Sequence, residues 1–178
     1  MAMDDLATLY CRFIDSVVNH RRLDDFDQFL AAEVVEHAPA RTVGLAAARQ
    51  TLADWLAAFP DLHLTIEDLV VDGDHLMARL TATGTHHGPL AGLAPTGQRV
   101  RLPVYEAWSV PDGRCAERWL QLDVLDLLQQ LGAVPLAEPT AQRGPARYAG
   151  LRHGPPETGA ASPALGSVAR RPKQTRNE

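Results

Sequence analysis

The chain has 178 residues, a formal net charge of −5 and a hydrophobic content of 46%, which are typical of a soluble protein with one domain and some additional sequence. It has no apolar run long enough to span a membrane, and its acidic N-terminus lacks the basic region of a signal peptide. We therefore expect a cytoplasmic protein that does not bind membranes. Two cysteines, Cys11 and Cys115, do not make a disulfide framework, and we interpret both as buried thiols.

The last part of the chain differs from the rest in composition and charge. Residues 136–178 are rich in Pro, Gly, Ala, Ser and Arg and show no periodicity. They contain seven basic and three acidic residues, a net charge of +4, which leaves −9 for residues 1–135 out of the total of −5. We predict a folded domain over 1–135 and a disordered tail over 136–178. The acidic domain argues against nucleic acid as a partner.

The first third of the sequence predicts helices. Apolar residues recur at helical spacing from about residue 4 to 20, and a shorter helical segment follows over 23–30. A third helix is predicted over 44–59, where Pro60 follows it. Between the second and third helices, Val34 to His37 form a short extended segment that ends before Pro39.

The pattern then changes to that of strands, predicted over 62–71, 75–85, 98–110 and 114–123. Tight turns at Asp72-Gly73-Asp74 and Pro111-Asp112-Gly113 join two pairs of them, and a Gly- and Pro-rich loop covers 88–97. Helices followed by strands indicate an α+β fold, in which a curved antiparallel sheet wraps around the helices and leaves a concave pocket.

The last predicted strand has an unusual surface. At a two-residue period Glu117, Trp119, Gln121 and Asp123 share one face. Two carboxylates, an amide and an indole suit the wall of a ligand cavity. The alternative is that Trp119 belongs to the core and the acids lie at a solvated rim, and this segment alone does not decide between the two.

Several well-known site types are absent from the sequence. It contains no P-loop, no GxGxxG, no GxSxG and no cysteine pair with zinc-site spacing. A metal site built from His37, His86 and an acid is geometrically possible, but nothing in the spacing requires it. Cys11, among apolar helical neighbours, is expected to be inert. We therefore expect neither a metal nor a cofactor.

A series of short motifs, in this order and spacing, resembles the SnoaL-like polyketide cyclases and the related ester cyclases of the NTF2-like superfamily. The resemblance covers roughly residues 5–135. It includes an acidic residue followed by His near the start of the domain and a motif at the end of the domain. Its motifs are Val35-Glu36-His37, Ala58 to Leu62, Val71 to Asp74, Gly84 to Gly88, Pro95-Thr96-Gly97, Asp112-Gly113-Arg114, Glu117-Arg118-Trp119, Asp123 and Gln130-Leu131-Gly132.

The resemblance implies an NTF2-like cone with an apolar cavity, a hydrophobic small-molecule substrate, and a homodimer or homotetramer built on the sheet. In the family's aromatic-polyketide cyclases an aspartate acts as acid and base in a cofactor-free intramolecular aldol closure, and that aspartate matches Asp123. The position before Trp119 is often His in relatives but is Arg118 here. If that side chain polarises a substrate carbonyl, the substrate differs accordingly.

The residues themselves give Asp123 two possible roles. A partly buried carboxyl can remove one proton and return another, because burial brings its pKa nearer to working pH. An Asp at this position is also a good N-cap for the segment that follows.

Other side chains are candidates for substrate binding. His37 and His86 could equally be hydrogen-bonded core histidines, several of the aromatic rings could simply be core, and Glu106 could be an exposed sheet residue. The candidates are His37, Trp55, Phe59, His86, Glu106, Trp108, Glu117, Trp119 and Gln121.

Three functions remain open from the sequence. The first is a cofactor-free cyclase acting on a polyketide-derived or ester-bearing substrate. The second is another enzyme on the same cone, such as an isomerase, a dehydratase or an epoxide hydrolase. The third is a non-catalytic ligand-binding module.

Overall fold

Six strands form one mixed sheet, and the helices pack against one of its faces. The computed structural model describes residues 3–38 and 41–135, so the tail predicted for 136–178 lies outside the described residues. The strand order is β2-β1-β6-β5-β4-β3. In chain order the elements are α1 (Met3–Arg12), its π-helical continuation (Phe13–Asn19), a 3₁₀ helix (Leu23–Gln28), β1 (Leu30–His37), β2 (Arg41–Val43), α2 (Leu45–Ala58), β3 (His63–Asp72), β4 (His75–Thr85), β5 (Arg99–Ser109), β6 (Cys115–Leu122) and α3 (Val124–Gln130).

The predicted α+β class is confirmed, with helices packed on a curved six-stranded sheet. Strands β3 to β6 form where alternation predicted them, and β3, β4, β5 and β6 are joined as antiparallel neighbours. Two details differ from the prediction. The short strand β2 was not predicted, and β1 pairs in parallel with β6, so the sheet is mixed and not purely antiparallel. Pairing of the first long strand with the last is a long-range contact, which local sequence patterns do not encode.

The core lies between the helices and the inner face of the sheet, which we define as the face that packs against the helices. Along β4 and β5 every second residue is buried, as expected for strands with one covered face. The buried rings of Phe13 and Tyr10 contact Trp108 of β5, with ring centroids 4.9 and 5.1 Å apart. Asn19 joins the two layers, because its side chain donates to Leu64 O and accepts from Leu64 N.

The loop after β4 closes on the end of α2. The backbone N–H groups of His87 and Gly88 both donate to the carbonyl oxygen of Ala58, each at 3.0 Å. This brings the Gly88 backbone so close to α2 that a Cβ on Gly88 would lie 2.1 Å from the carbonyl oxygen of Ala57. Only glycine allows this approach, so the loop position depends on it. Within the described ranges, no helix combines the length and apolarity needed to cross a membrane.

We expect Gly88→Ala to destabilise the protein by about 3 kcal/mol, because both contacting groups are backbone and cannot move aside. The matched control is Gly92→Ala. There an added Cβ meets nothing within 4 Å, and only the positive φ of 86° costs about 1 kcal/mol. Urea unfolding of both variants measures the difference. Equal losses for the two would show that the close approach to Ala57 does not exist.

Candidate functional site

A buried cluster of charged and polar side chains lies at one end of the inner face. Its central residue is Arg118 on β6, the strand between β1 and β5. The strand register sets Glu36 of β1 and Trp108 of β5 directly opposite Arg118. Glu106 is two residues before Trp108 and therefore on the same face. The sheet thus places one guanidinium between two carboxylates, and all three side chains are buried.

Glu106 is held by two donors on a single oxygen. The Tyr10 hydroxyl donates to Oε2 at 3.1 Å, and the Trp108 indole N–H donates to the same atom at 3.0 Å. The second oxygen, Oε1, receives no hydrogen bond from the part of the chain that the structure describes. Because both donors come from well-packed core rings, the carboxylate is fixed in orientation while one oxygen stays available.

Glu36 faces Arg118 from the other side. Its Oε1 lies 2.9 Å from Arg118 Nη2, and its Oε2 accepts a hydrogen bond from Thr42 Oγ1 at 3.1 Å. The side chains of Arg118 and Glu36 are only 9% and 2% exposed. An ion pair this deeply buried has a large desolvation cost, so it contributes little to the stability of the fold. Buried charged groups of this kind are common at functional sites, which makes the pair a candidate site.

The electrostatics of the cluster keep two of its members protonated. Burial, reinforced by the neighbouring Glu106, raises the pKa of Tyr10 far above its ordinary value, so its hydroxyl remains a donor. Burial alone would lower the pKa of Arg118, but the charges of Glu106 and Glu36 outweigh it and raise the pKa. Arg118 is therefore a permanent cation beside two carboxylates.

Cys115, at the start of β6, lies near the cluster but lacks the chemistry of a nucleophile. Burial raises the pKa of its thiol to about 12, although the nearby Arg118 opposes the shift. The thiol donates to the carbonyl oxygen of Glu117. A thiol that stays protonated at neutral pH does not act as a nucleophile, so Cys115 is structural.

The predicted site residues fall into three separate places. Glu106 and Trp108 belong to the buried cluster. Trp55, Phe59 and His86 form a ring stack at the other end of the inner face, with centroids 5.9 Å and 5.3 Å apart. Ala78 pairs with Glu106, and His86 follows eight positions later on the same chain segment, roughly 26 Å along the strand at about 3.3 Å per residue. His86 and Glu106 are therefore too far apart to contact the same small reacting group of a substrate.

His86 is held by the loop that follows it. The Thr96 backbone N–H donates to His86 Nδ1 at 3.2 Å, so Nδ1 is an acceptor and the ring proton is on Nε2. The described residues offer no hydrogen-bond partner to that buried Nε2. The geometry gives His86 a clear role in fixing the 86–98 loop, and any contact with substrate remains a prediction.

The remaining candidates lie on the outer face of the sheet, which we define as the face away from the helices. His37 Nε2 lies 2.7 Å from Glu117 Oε1, and the His37 ring stacks on Trp119 at a centroid distance of 5.1 Å. His37 and Trp119, together with Gln121 and Tyr105, border a groove of ≈ 800 Å³. Glu117, Trp119 and Gln121 share one face as predicted, but this is the outer face, because the buried parity on β6 is that of Arg118 and Leu122. Their role in substrate binding stays a prediction.

Asp123 is exposed and follows the end of β6. Its carboxylate accepts a hydrogen bond from the backbone N–H of Asp126 at 2.9 Å and caps α3. Asp123 is not partly buried as expected, because it follows the end of β6 and shares the parity of the exposed residues Trp119 and Gln121. The N-cap role, one of the two alternatives, is what the geometry shows; the catalytic role stays a prediction.

Sequence reasoning did not select Tyr10, Glu36 or Arg118 as site residues. Each nevertheless carries a signal, because it is a polar group on an otherwise apolar face of its element. Arg118 shares parity with Leu120 and Leu122, Glu36 with Val34, and Tyr10 falls within the apolar periodicity of α1. Across the described ranges, no group of three or more His, Cys, Asp and Glu side chains is placed to hold a metal ion.

Comparison with known proteins identifies the family. The profile of the SnoaL-like polyketide cyclases matches residues 8–131, more than two thirds of the chain. The chain belongs to this family. Among solved structures, TsrD from Streptomyces laurentii is 30% identical with a TM-score of 0.70 and covers 75% of this chain and 99% of its own. No functionally curated protein matches at a significant level.

Two other relatives from this family of structures are similar at lower identity. AclR from Streptomyces galilaeus, provisionally assigned as a hydroxylase, is 27% identical with a TM-score of 0.69, covering 78% of this chain and 87% of its own. A SnoaL-like polyketide cyclase from Agrobacterium tumefaciens is 28% identical with a TM-score of 0.64, covering 74% and 100%.

We expect Cys115 to make stability fall at alkaline pH. Its pKa is raised to about 12 in the folded state from 9.0, so its contribution is fully present below pH 9 and is lost as pH rises toward 12. The loss is about 1.4 kcal/mol per pH unit in that window. Urea unfolding at pH 8.5 and 10 should show a smaller decline for Cys115→Ala than for the wild type. Parallel declines in the two proteins would show that the thiol ionises freely in the folded state.

Proposed function

We propose that this protein is a cofactor-independent cyclase that closes a ring in a polyketide-derived or ester-bearing substrate by an intramolecular aldol-type reaction, with Glu106 as acid and base. The observation that carries the proposal is the Glu106 carboxylate, buried, fixed on Oε2 by Tyr10 and Trp108, and free of hydrogen bonds on Oε1 from the described residues. Membership of the SnoaL-like family supports the reaction class.

The chemistry needs no second reactant. Glu106 Oε1 removes a proton from a carbon between two carbonyl groups, and the electron pair of that C–H bond becomes an enolate. The enolate carbon attacks a second carbonyl carbon of the same molecule, a C–C bond forms, and the carbonyl π electrons move to oxygen. Glu106 then returns its proton to that oxygen, so the product is an isomer of the substrate. General acid–base action of this kind contributes about 10²–10⁴-fold, and holding the chain folded supplies much of the rest.

Glu106 is a better candidate for this role than Asp123. Asp123 lies in solvent, and its carboxylate already caps α3. Glu106 lies in an apolar interior, where two donors restrict it to one orientation. Because the cluster is buried, substrate entry requires local opening of the side chains around it.

The test compares Glu106→Gln with Asp123→Asn. A Gln keeps an oxygen that accepts from Tyr10 and Trp108 but cannot exchange a proton, so turnover should fall about 10²-fold or more. The Asn at 123 keeps the cap, so turnover and stability should stay near wild-type values. The assay follows ring closure of an anthraquinone bearing a β-keto ester side chain, read by absorbance and by a product of unchanged mass.

Two results would contradict the assignment. Full activity of Glu106→Gln with loss of activity in Asp123→Asn would make Asp123 the acid and base. Unchanged activity in both, or tight binding of the probe without turnover, would favour a non-catalytic binding module. Thermal melting of both variants confirms that each is folded when assayed.

Opening of an epoxide by water is the second candidate function, favoured by the arrangement of two carboxylates around one cation. Glu36 Oε1 is buried and has no aligned hydrogen bond from the described residues. In this reaction one carboxylate takes a proton from the attacking water, and the other group, in its carboxylic acid form, gives a proton to the epoxide oxygen as the C–O bond breaks. The two functions differ in the product. Hydration of an epoxide probe in ¹⁸O-water adds a labelled oxygen, whereas aldol closure adds none.

We also propose that a second copy of the chain covers the outer face and makes a homodimer. Four large apolar side chains lie exposed across four adjacent strands of this face: Val70, Met77, Tyr105 and Trp119, with exposures of 48, 65, 52 and 41%. An apolar patch of this kind usually marks an interface, and contact of the same patch on two copies gives a closed two-fold dimer.

We expect light scattering to give about twice the chain mass of 19.4 kDa at micromolar concentration. Met77→Glu combined with Tyr105→Glu should give the single-chain mass, because the charges would be buried without partners. Leu125→Glu is the control, since Leu125 is also exposed but lies on α3 outside the groove residues. A wild-type protein of single-chain mass would refute the dimer.

A further inference from the structure

Arg118 carries a charged donor that the fold does not use. Its Nη2 atom approaches Glu36, but its Nε atom is buried and finds no hydrogen-bond partner among the described residues. Glu36 Oε1, although 2.9 Å away from Nη2, likewise receives no aligned hydrogen bond. The cluster therefore compensates the charge of Arg118 but leaves its Nε–H without an acceptor among the described residues.

A purely structural ion pair would be built differently. Arginine stabilises buried carboxylates through two parallel N–H···O bonds, which satisfy both partners. Here the guanidinium is placed over the Phe13 ring, 5.9 Å from its centroid, and is attracted by two carboxylates from two strands. Its orientation is thus fixed by neighbours on several sides, while Nε–H remains free. Fixed charge with a free donor is what stabilisation of a developing anion requires.

We propose that Arg118 is the oxyanion-binding residue of this site, donating from its unused Nε–H to the substrate carbonyl oxygen that becomes an alkoxide, and that Glu36 is the positioning residue that holds it. The inference rests on the proposed function. It names the substrate group: a ketone or ester carbonyl within reach of both Glu106 Oε1 and Arg118 Nε.

Arg118 and Glu106 have different roles in the proposed reaction because only one of them can exchange a proton. Arginine does not release its proton in proteins, so Arg118 stabilises the alkoxide by charge and hydrogen bonding alone. The proton that quenches the alkoxide comes back from Glu106, which took it from carbon. No proton is gained or lost overall. The carbonyl oxygen therefore has to lie between the carboxylate and the guanidinium, on the inner face where β5 and β6 are adjacent.

The test removes both charges of the pair together, in Arg118→Met with Glu36→Gln, because removing one alone leaves an uncompensated buried charge. The matched control is Arg49→Met with Asp27→Asn. That arginine also has a buried Nε without a partner and pairs with an aspartate, but it lies on α2. With the β-keto ester probe, kcat of the first variant should fall about 100-fold or more, with KM within about threefold. The control should keep both constants.

Arg118→Lys is a second variant that keeps the charge opposite Glu36, and it serves if the double variant melts well below the wild type. It lacks Nε–H, so its kcat should fall at least about tenfold. An unchanged kcat in either folded variant overturns the proposal, and so does a raised KM with kcat preserved, which would mean binding of a substrate anion in the ground state. A fully active Glu106→Gln variant would contradict the proposed function itself. A loss of activity in Glu106→Gln with an unchanged kcat in the Arg118 variants would contradict only the role of Arg118.

A measurement without turnover checks the same donor. In the Glu106→Gln background, 2-naphthol serves as a stable analogue of a charged oxygen, and its phenolate is detected by absorbance. Bound to the protein, it should ionise at least about one pH unit lower than in solution because of the adjacent cation. Adding Arg118→Met with Glu36→Gln should abolish the shift, while adding Arg49→Met with Asp27→Asn should preserve it. A shift that persists without Arg118 overturns the proposal.

Discussion

The buried guanidinium between two carboxylates is the constraint on which the site depends. Arg118 cannot shed its charge, so each of its neighbours has to supply compensation from a fixed place. That place is set by strand order, because only a strand between β1 and β5 can face Glu36 on one side and Glu106 on the other. Removing Arg118 alone would leave Glu36 as a buried carboxylate without its cation, at a cost of about 3–5 kcal/mol. The buried cluster can therefore form only if β1 pairs in parallel with β6, because this pairing places Glu36 opposite Arg118.

The inner face is divided along its length into a polar and an apolar part. On β5 the buried residues are apolar at Val100, Leu102 and Val104, and then change to Glu106 and Trp108. The far end is closed by the ring stack of Phe59 and His86 beneath the loop that Gly88 allows to approach α2. The apolar part belongs to the packed core, whereas the polar part holds the buried charged cluster.

The sequence predicted local structure well and orientation poorly. Alternation gave β4 its observed bounds, His75 to Thr85, because one covered face leaves a period of two that is easy to recognise. The same period placed Glu117, Trp119 and Gln121 together but did not reveal which face they occupy. Polar and aromatic side chains suit a cavity wall as well as a solvated rim, and the interior parity proves to be that of Arg118 and Leu122. The two-residue period of a strand shows which residues share a face. Only tertiary packing decides which of the two faces is buried.

The site itself could be predicted only in part for the same reason. Glu106 and Trp108 were identified by their place on a strand, whereas Glu36 needed the parallel β1–β6 register, which is a contact between residues 82 positions apart in sequence. Asp123 was open to two interpretations because a strand end that precedes a helix suits both a cap and an acid. Its exposed position and its bond to Asp126 decide the geometry in favour of the cap.

The identity of residue 118 determines the electrostatic character of the buried cluster. A histidine, which the family resemblance leads us to expect before the tryptophan, changes its charge near neutral pH and can pass a proton. An arginine does neither, so its contribution is a constant positive charge. In the proposed reaction, proton movement is then left to Glu106, while Tyr10, whose pKa is raised by burial and by Glu106, can only donate a hydrogen bond. The proposed reaction passes through an enolate and an alkoxide and needs no other reactant. One acid–base group, Glu106, with two fixed hydrogen-bond donors, Arg118 and Tyr10, suits such a reaction.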